Sequence, residues 1–329
     1  MKLISRRNFL KGTGASALVA ATASMVGCSS GSSNITVGVC IYQFSDSFMT
    51  LYRENLAEYF DDLGYECTIV DGKNDQVTQT EQINTFLQQG VDILVINPVQ
   101  TTSAQTIVDT VSPYNIPIVF INREPDVEVL DSYPDMCCYV GADARQSGTY
   151  QGEIILETDT QGDINGDGVV TYIMCMGDPE NVDAQYRTEY SVKALTDAGI
   201  EVNCLYEYLD NWDQTLAQQD VANALAQYGD EIEVCFCNND SMALGALQAI
   251  TAAGRTVGSD IYLVGVDALD EAVQNVADGL MTGTVLNDDV GQATAAVASA
   301  EGYANGDSVD QYTIVDYVKV TPDVAADYL

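Results

Sequence analysis

From residue 35 to residue 320 the chain alternates short apolar runs with amphipathic helical stretches, and this alternation constrains the fold more than any other feature. Apolar runs at 35–42, 66–70, 93–96 and 118–121 are separated by helical patterns at 47–63, 76–89 and 102–114. A second series places runs at 138–140, 169–175, 201–208, 233–237 and 262–266, with helical patterns at 145–158, 183–197, 214–228 and 241–252 between them. A helical pattern at 288–305 and strands near 313–320 close the chain. Short runs that are apolar at nearly every position suit parallel strands covered on both faces. Repeated strand–helix units build such sheets with right-handed crossovers. The expectation is an α/β fold of two Rossmann-like lobes, each a mostly parallel sheet flanked by helices, joined by a multi-strand hinge. Residues 29–117 plus 288–318 are expected to form the first lobe, and 118–287 plus 319–329 the second.

The first 28 residues read as a targeting segment. Lys2, Arg6, Arg7 and Lys11 form a basic head, and residues 15–26 form an apolar run too short to span a bilayer comfortably. Ser-Arg-Arg-Asn-Phe-Leu-Lys at 5–11 looks like a twin-arginine export signal. Met25-Val26-Gly27-Cys28 resembles a lipobox, with Cys28 as the lipidated first residue of the mature protein and a Ser/Gly-rich tether behind it. The expected location is outside the cytoplasm, lipid-anchored at the outer face of the cell membrane or periplasmic.

Composition excludes several functions. There are 12 basic against 49 acidic residues, a formal net charge of −37, which argues against nucleic acid and anionic lipid as partners. The absence of histidine rules out His general bases, His triads and His-ligated zinc. Beyond Cys28, Cys40, Cys67, Cys137, Cys138, Cys175, Cys204, Cys235 and Cys237 fall in or beside apolar runs without the paired spacing of a zinc site. They read as small buried hydrophobes rather than a disulfide framework.

Residues 163–168, Asp-Ile-Asn-Gly-Asp-Gly, carry oxygen side chains at loop positions one, three and five, with Gly168 at position six. That is the opening of an EF-hand-type calcium loop. Val169 would add its carbonyl and Thr171 its hydroxyl. Position twelve is Met174 rather than a bidentate Glu, so a remote carboxylate must complete the shell.

Polar residues also cluster at strand ends, where open α/β sheets hold their ligands. Tyr42, Asp46 and Phe48 follow the first run, and Asn97 the third. Asn239, Asp267 and Asn287 follow later ones, and Asp183 and Arg187 lie four apart on one helix face. Trp212, the single tryptophan, sits in a loop-like stretch. Carboxylates and amides can each serve two adjacent hydroxyls, a guanidinium offers a rigid donor fork, and aromatic faces cover sugar C–H groups. The set suits a neutral polyol.

Taken in order, IYQFSDSFM, KNDQ, NPV, DINGDG, DAQYRTEY, NNDSMALGA, VGVDAL and GTVLND resemble the periplasmic galactose/glucose-binding proteins of sugar ABC transporters, over essentially all of 35–329. The resemblance implies a solute-binding protein and no enzyme, a monosaccharide ligand such as D-galactose or D-glucose, and delivery to a membrane ABC permease by hinge closure. It implies a monomer, with a chemoreceptor or sensor kinase as a further partner. Asp46, Phe48, Asn97, Asp183, Arg187, Trp212, Asn239, Asp267 and Asn287 would contact the sugar, with Phe48 and Trp212 sandwiching it. Asn181 stands where the family carries a sugar-contacting histidine. Asp163, Asn165, Asp167, Val169, Thr171 and the remote Glu233 would hold a structural Ca2+. A pentose-binding protein or a sugar-sensing receptor is the nearest alternative. A glycosidase, or the effector domain of a repressor, is more distant.

Overall fold

A computed structural model describes residues 34–329; the leader and Cys28 lie outside the described residues. The first sheet contains β1 (Thr36–Ile41), β2 (Glu66–Asp71), β3 (Ile93–Ile96), β4 (Ile118–Ile121), β5 (Cys137–Gly141) and β11 (Tyr312–Ile314). Its strand order is β11-β5-β4-β3-β1-β2, with every pair parallel. The second contains β6 (Val169–Met176), β7 (Glu201–Leu209), β8 (Val234–Cys237) and β9 (Tyr262–Val264), in the parallel order β7-β6-β8-β9. A short antiparallel pair, β10 (Thr284–Leu286) and β12 (Val318–Val320), adjoins it through a bridge from Asp267 to Leu286.

Alternation along each strand feeds two cores per sheet. Val37, Val39 and Ile41 face α1 (Ser47–Asp62) and α10 (Asp289–Asn305), while Cys40, Leu94 and Ile96 face α2 (Gln76–Gln89) and α3 (Ala104–Val111). Gly38 has no alternative on that second face, because a Cβ there would lie 2.7 Å from the Phe86 ring. In the second lobe, Val170, Tyr172 and Met174 face α5 (Ala144–Leu156) and α6 (Val182–Asp197). Ile173, Cys175, Cys235 and Cys237 face α7 (Gln214–Tyr228) and α8 (Asp240–Ala252). Two short helices, α4 (Val127–Asp131) and α9 (Asp270–Ala277), are additions to the expected set.

The expected boundary at residue 117 is corrected. β4 pairs with β3, and β5 with β4, so the first lobe extends to Gly141. An apolar run reports burial but not which sheet it joins. The chain crosses between lobes three times, at 142–143, 287–288 and 315–317. The second and third crossings fall close to the expected positions.

Candidate functional site

The candidate site is a cavity of about 320 Å3, including its mouth, between the carboxyl ends of the two sheets. The first lobe lines it with Tyr42, Asp46, Phe48, Met49, Asn122 and Arg123. The second contributes Asn181, Asp183, Arg187, Trp212, Asn239 and Asp267, and the second crossing adds Asn287.

Several of these residues are set by helix starts. Asp46, Asn181 and Asn239 are the N-caps of α1, α6 and α8, accepting from the backbone N–H of Met49 (2.7 Å), Asp183 (3.0 Å) and Met242 (3.0 Å). Each satisfies a donor that the helix leaves unpaired and brings its polar head to the helix's positive end. Structural and ligand-facing roles therefore coincide at these positions. The other carboxylate oxygen of Asp46 accepts from the Tyr42 hydroxyl at 2.6 Å. Capping occupies the Asn181 carbonyl oxygen, which leaves its amide N–H groups as what it can offer a ligand.

Arg187 organises the second wall. Its guanidinium donates to the Asn238 carbonyl at 2.8 Å and to the Tyr317 hydroxyl at 3.1 Å, and lies 3.9 Å from both Asp183 and Asp267. Burial opposes the Arg187 cation, yet Tyr317, Asp267 and Asp183 together hold its pKa above the ordinary value. Burial raises the Asp183 and Asp267 carboxyls, with Arg187 as the principal opposing influence. Tyr317 belongs to the third crossing, so the site touches the hinge directly.

Trp212 stands on a strained turn: Asn211 and Trp212 have φ of 49° and 67°. Gly177 lies beneath the indole, and a Cβ there would sit 2.3 Å from the ring. Asp267, at φ 118°, is held against Asn287, whose amide donates to it at 3.3 Å. Positive φ at non-glycine residues stores strain that the surroundings must hold.

Of the ten residues expected to bind ligand, nine line the cavity: Asp46, Phe48, Asn181, Asp183, Arg187, Trp212, Asn239, Asp267 and Asn287. Asn97 lies directly behind the lining, against Tyr42 and Asn122. It is fully buried, accepts from the Tyr42 N–H at 3.2 Å and donates to the Ile121 carbonyl and the Asn122 side chain. Arg123 and Asn122 are the missed residues. The Arg123 guanidinium stacks 3.8 Å above the Tyr42 ring, donates to the Val99 carbonyl and lies 3.9 Å from Asp178 across the cleft. Both residues directly follow β4, so the strand-end rule would have found them.

Buried donors on three of these side chains lack partners: Nε and one terminal nitrogen of Arg123, Nε of Arg187 and the indole Nε1 of Trp212. An unpaired buried donor costs about 1–3 kcal/mol, so such groups mark where a ligand's acceptors belong. Three carboxylates against two guanidiniums give the walls no excess of positive charge, which disfavours anionic solutes. Further contacts bridge the cleft: Ser241 to Ser47 at 3.0 Å and Gln100 to Glu180 at 3.2 Å.

Away from the cleft, the 163–171 loop folds on its own carboxylates. Asp163 accepts from the N–H groups of Gly166, Asp167 and Gly168, Asn165 from Asp167, and Asp167 from Val169. Glu233 is buried, and its two oxygens each accept at 2.9 Å, from the Asn165 and Thr171 N–H groups.

Two parallel-sheet lobes, three crossings and a polar cavity between strand ends define a hinged solute-binding protein. The chain belongs to the periplasmic binding protein family, whose domain model matches residues 37–308. A twin-arginine translocation signal model matches residues 3–23, in keeping with export. The D-galactose/methyl-galactoside binding periplasmic protein MglB of Haemophilus influenzae is 35% identical over 307 residues, covering 89% of this chain and 91% of that protein. The ribose import binding protein RbsB of the same organism is 26% identical, covering 88% and 92%. The solved ABC transporter solute binding protein of Bacillus halodurans, with bound myo-inositol, superposes with a TM-score of 0.79 at 29% identity, covering 91% and 98%. These relatives are solute-binding proteins, and this chain is one too rather than an enzyme.

Proposed function

We propose that this protein captures a monosaccharide, D-galactose or D-glucose, in the inter-lobe cavity and presents it to an ABC permease in the membrane. The observation that carries the reading is the pairing, in one cavity, of two aromatic rings from opposite lobes with buried donors that lack partners. Phe48 and Trp212 would cover the ring faces. Arg123, Arg187 and the Trp212 indole would donate to ring and hydroxyl oxygens, while Asp46, Asp183 and Asp267 would accept from hydroxyls. The galactoside-binding relative, similar along nearly its whole length, supports the choice of hexose.

Mechanistically, the open lobes sample closure, and contacts made from both sides stabilise the shut form. The Ser47–Ser241, Gln100–Glu180 and Arg123–Asp178 contacts describe such a shut form. Arg187, bonded to Tyr317 in the hinge, ties ligand contact to hinge position.

The 163–171 loop fits Ca2+. Asp163, Asn165 and Asp167, the Val169 carbonyl, Thr171 and the buried Glu233 form an all-oxygen donor set around one turn, and a buried carboxylate anchored only by backbone N–H groups still has lone pairs to give. The ion would brace the start of β6. Cys28 is proposed as the lipid attachment site, which would keep the protein beside its permease.

Titration calorimetry across hexoses and pentoses tests the sugar assignment, paired with small-angle scattering. Heat and compaction with galactose or glucose are expected. Binding of ribose or inositol in their place would move the assignment to the ligand classes of its other relatives.

A further inference from the structure

Cys175 on β6 and Cys235 and Cys237 on β8 fall 60 and 62 positions apart in sequence order, yet parallel pairing places Cys175 beside Cys237. Period two then puts Cys235 on the same face. The three Sγ atoms lie within 4.8 Å of one another, and Cys235 and Cys237 are 3.8 Å apart. All three are fully buried. Zn–S bonds of about 2.3 Å give a tetrahedron whose edge is about 3.8 Å.

A second observation comes from Asp210, the residue that follows β7. Its side chain is fully buried, and neither carboxylate oxygen has a hydrogen-bond partner. The Cys175 thiol and the Asp220 carboxyl of α7 are its polar neighbours. A buried carboxylate beside a second carboxyl and a thiol calls for a proton or a cation.

We propose that the grouped thiols of Cys175, Cys235 and Cys237 form the three-sulfur face of a buried site for a thiophilic cation of the zinc(II) class, with the Asp210 carboxylate turning in to complete it. With the three sulfurs in place, one oxygen from Asp210 would complete a four-coordinate shell of the structural kind. Thiols must lose their protons to bind, so uptake should be pH-dependent.

The site sits directly below the ligand cavity. Asp210 accepts from the Asp213 N–H and donates its own N–H to Met176, bracketing the turn that carries Trp212. Cys237 precedes Asn238 and Asn239, the partners of Arg187 and α8. A bound cation would therefore fix the base of the Trp212 turn and the end of β8. The site is independent of the oxygen-lined loop at 163–171 and of which sugar is bound.

The test uses the exported chain purified reduced, stripped with chelator and reloaded with zinc(II) or cobalt(II). The expected result is about one equivalent retained through gel filtration. Cobalt should give a thiolate charge-transfer band and the intense visible bands of a tetrahedral centre. A Cys175→Ala/Cys235→Ala/Cys237→Ala variant should lose both, while a Cys67→Ala/Cys204→Ala control keeps them. Asp210→Asn should weaken cobalt binding by about tenfold or more. Circular dichroism identifies any variant that has failed to fold; single Cys→Ala changes, which leave the helices' packing nearly intact, then replace it. The proposal is overturned if the wild type takes up no metal. It is equally overturned if the cobalt spectrum lacks thiolate bands, if the folded triple variant binds as well as the wild type, or if thiol titration shows two of the three cysteines already joined.

Discussion

The two lobes share an architecture but present different kinds of wall. The first lobe's wall is largely satisfied apart from Arg123, which keeps two buried donors free for a ligand: Asp46 is spent on a cap and on Tyr42, and Asn97 and Asn122 hold each other. The second lobe's wall is charged and more strained, with Asp183, Asp267 and Arg187 buried together and positive φ at Asn211, Trp212 and Asp267, against Asn122 among the first lobe's lining residues. A satisfied wall is rigid without ligand. A wall of mutually opposed buried charges is most stable when further hydrogen bonds arrive. The comparison predicts that ligand recognition draws mostly on the second lobe and alignment mostly on the first.

The largest effect should separate the two rings. Trp212→Ala should cost about 2–4 kcal/mol of ligand binding and Phe48→Ala about half that, measured by calorimetry with the preferred sugar. Equal losses would break the asymmetry. Next come the guanidiniums. Arg187→Lys should cost about 1.5–3 kcal/mol, because one ammonium cannot serve Asn238, Tyr317 and two carboxylates. Arg123→Lys should cost less, since its Val99 contact faces the first lobe's interior.

A third test reads pH. Asp240, buried behind the second wall, is pushed up to about 6 by burial, against Thr284, the Leu269 and Ala268 N–H groups and Arg187. A folded pKa above the ordinary 3.8 means that the folded state holds the proton more tightly. Its contribution to stability is complete below that ordinary value and is lost as pH rises through about 6. Urea midpoints should fall across that window for the wild type and fall less for Asp240→Asn. The smallest effect belongs to the latch: Ser47→Ala should weaken binding by at most about 1 kcal/mol, seen as a faster off-rate in stopped-flow fluorescence of Trp212.

Much of this molecule was legible because burial and helix starts leave local marks. The bounds of β3, β4, α2 and α7 match their sequence patterns, and nine expected ligand residues share one cavity. What escaped depends on pairing. Assigning 118–121 to the wrong lobe hid its end, and with it Asn122 and Arg123. Asn97 stands at a strand end as expected, and its hydrogen bonds to Tyr42 and Asn122, which no sequence pattern reveals, set it against the lining. The thiol cluster escaped because no spacing in the sequence shows that β6 and β8 are neighbours.

Because Asp46, Asn181 and Asn239 both start helices and face the cavity, altering any of them would loosen a helix while it changes what is recognised. Residues that cap nothing, such as Phe48, Asn122 and Trp212, carry no such double duty. Tailoring this scaffold toward a new guest is therefore easiest at the rings and at the tip of β4, leaving the helix starts as fixed framework.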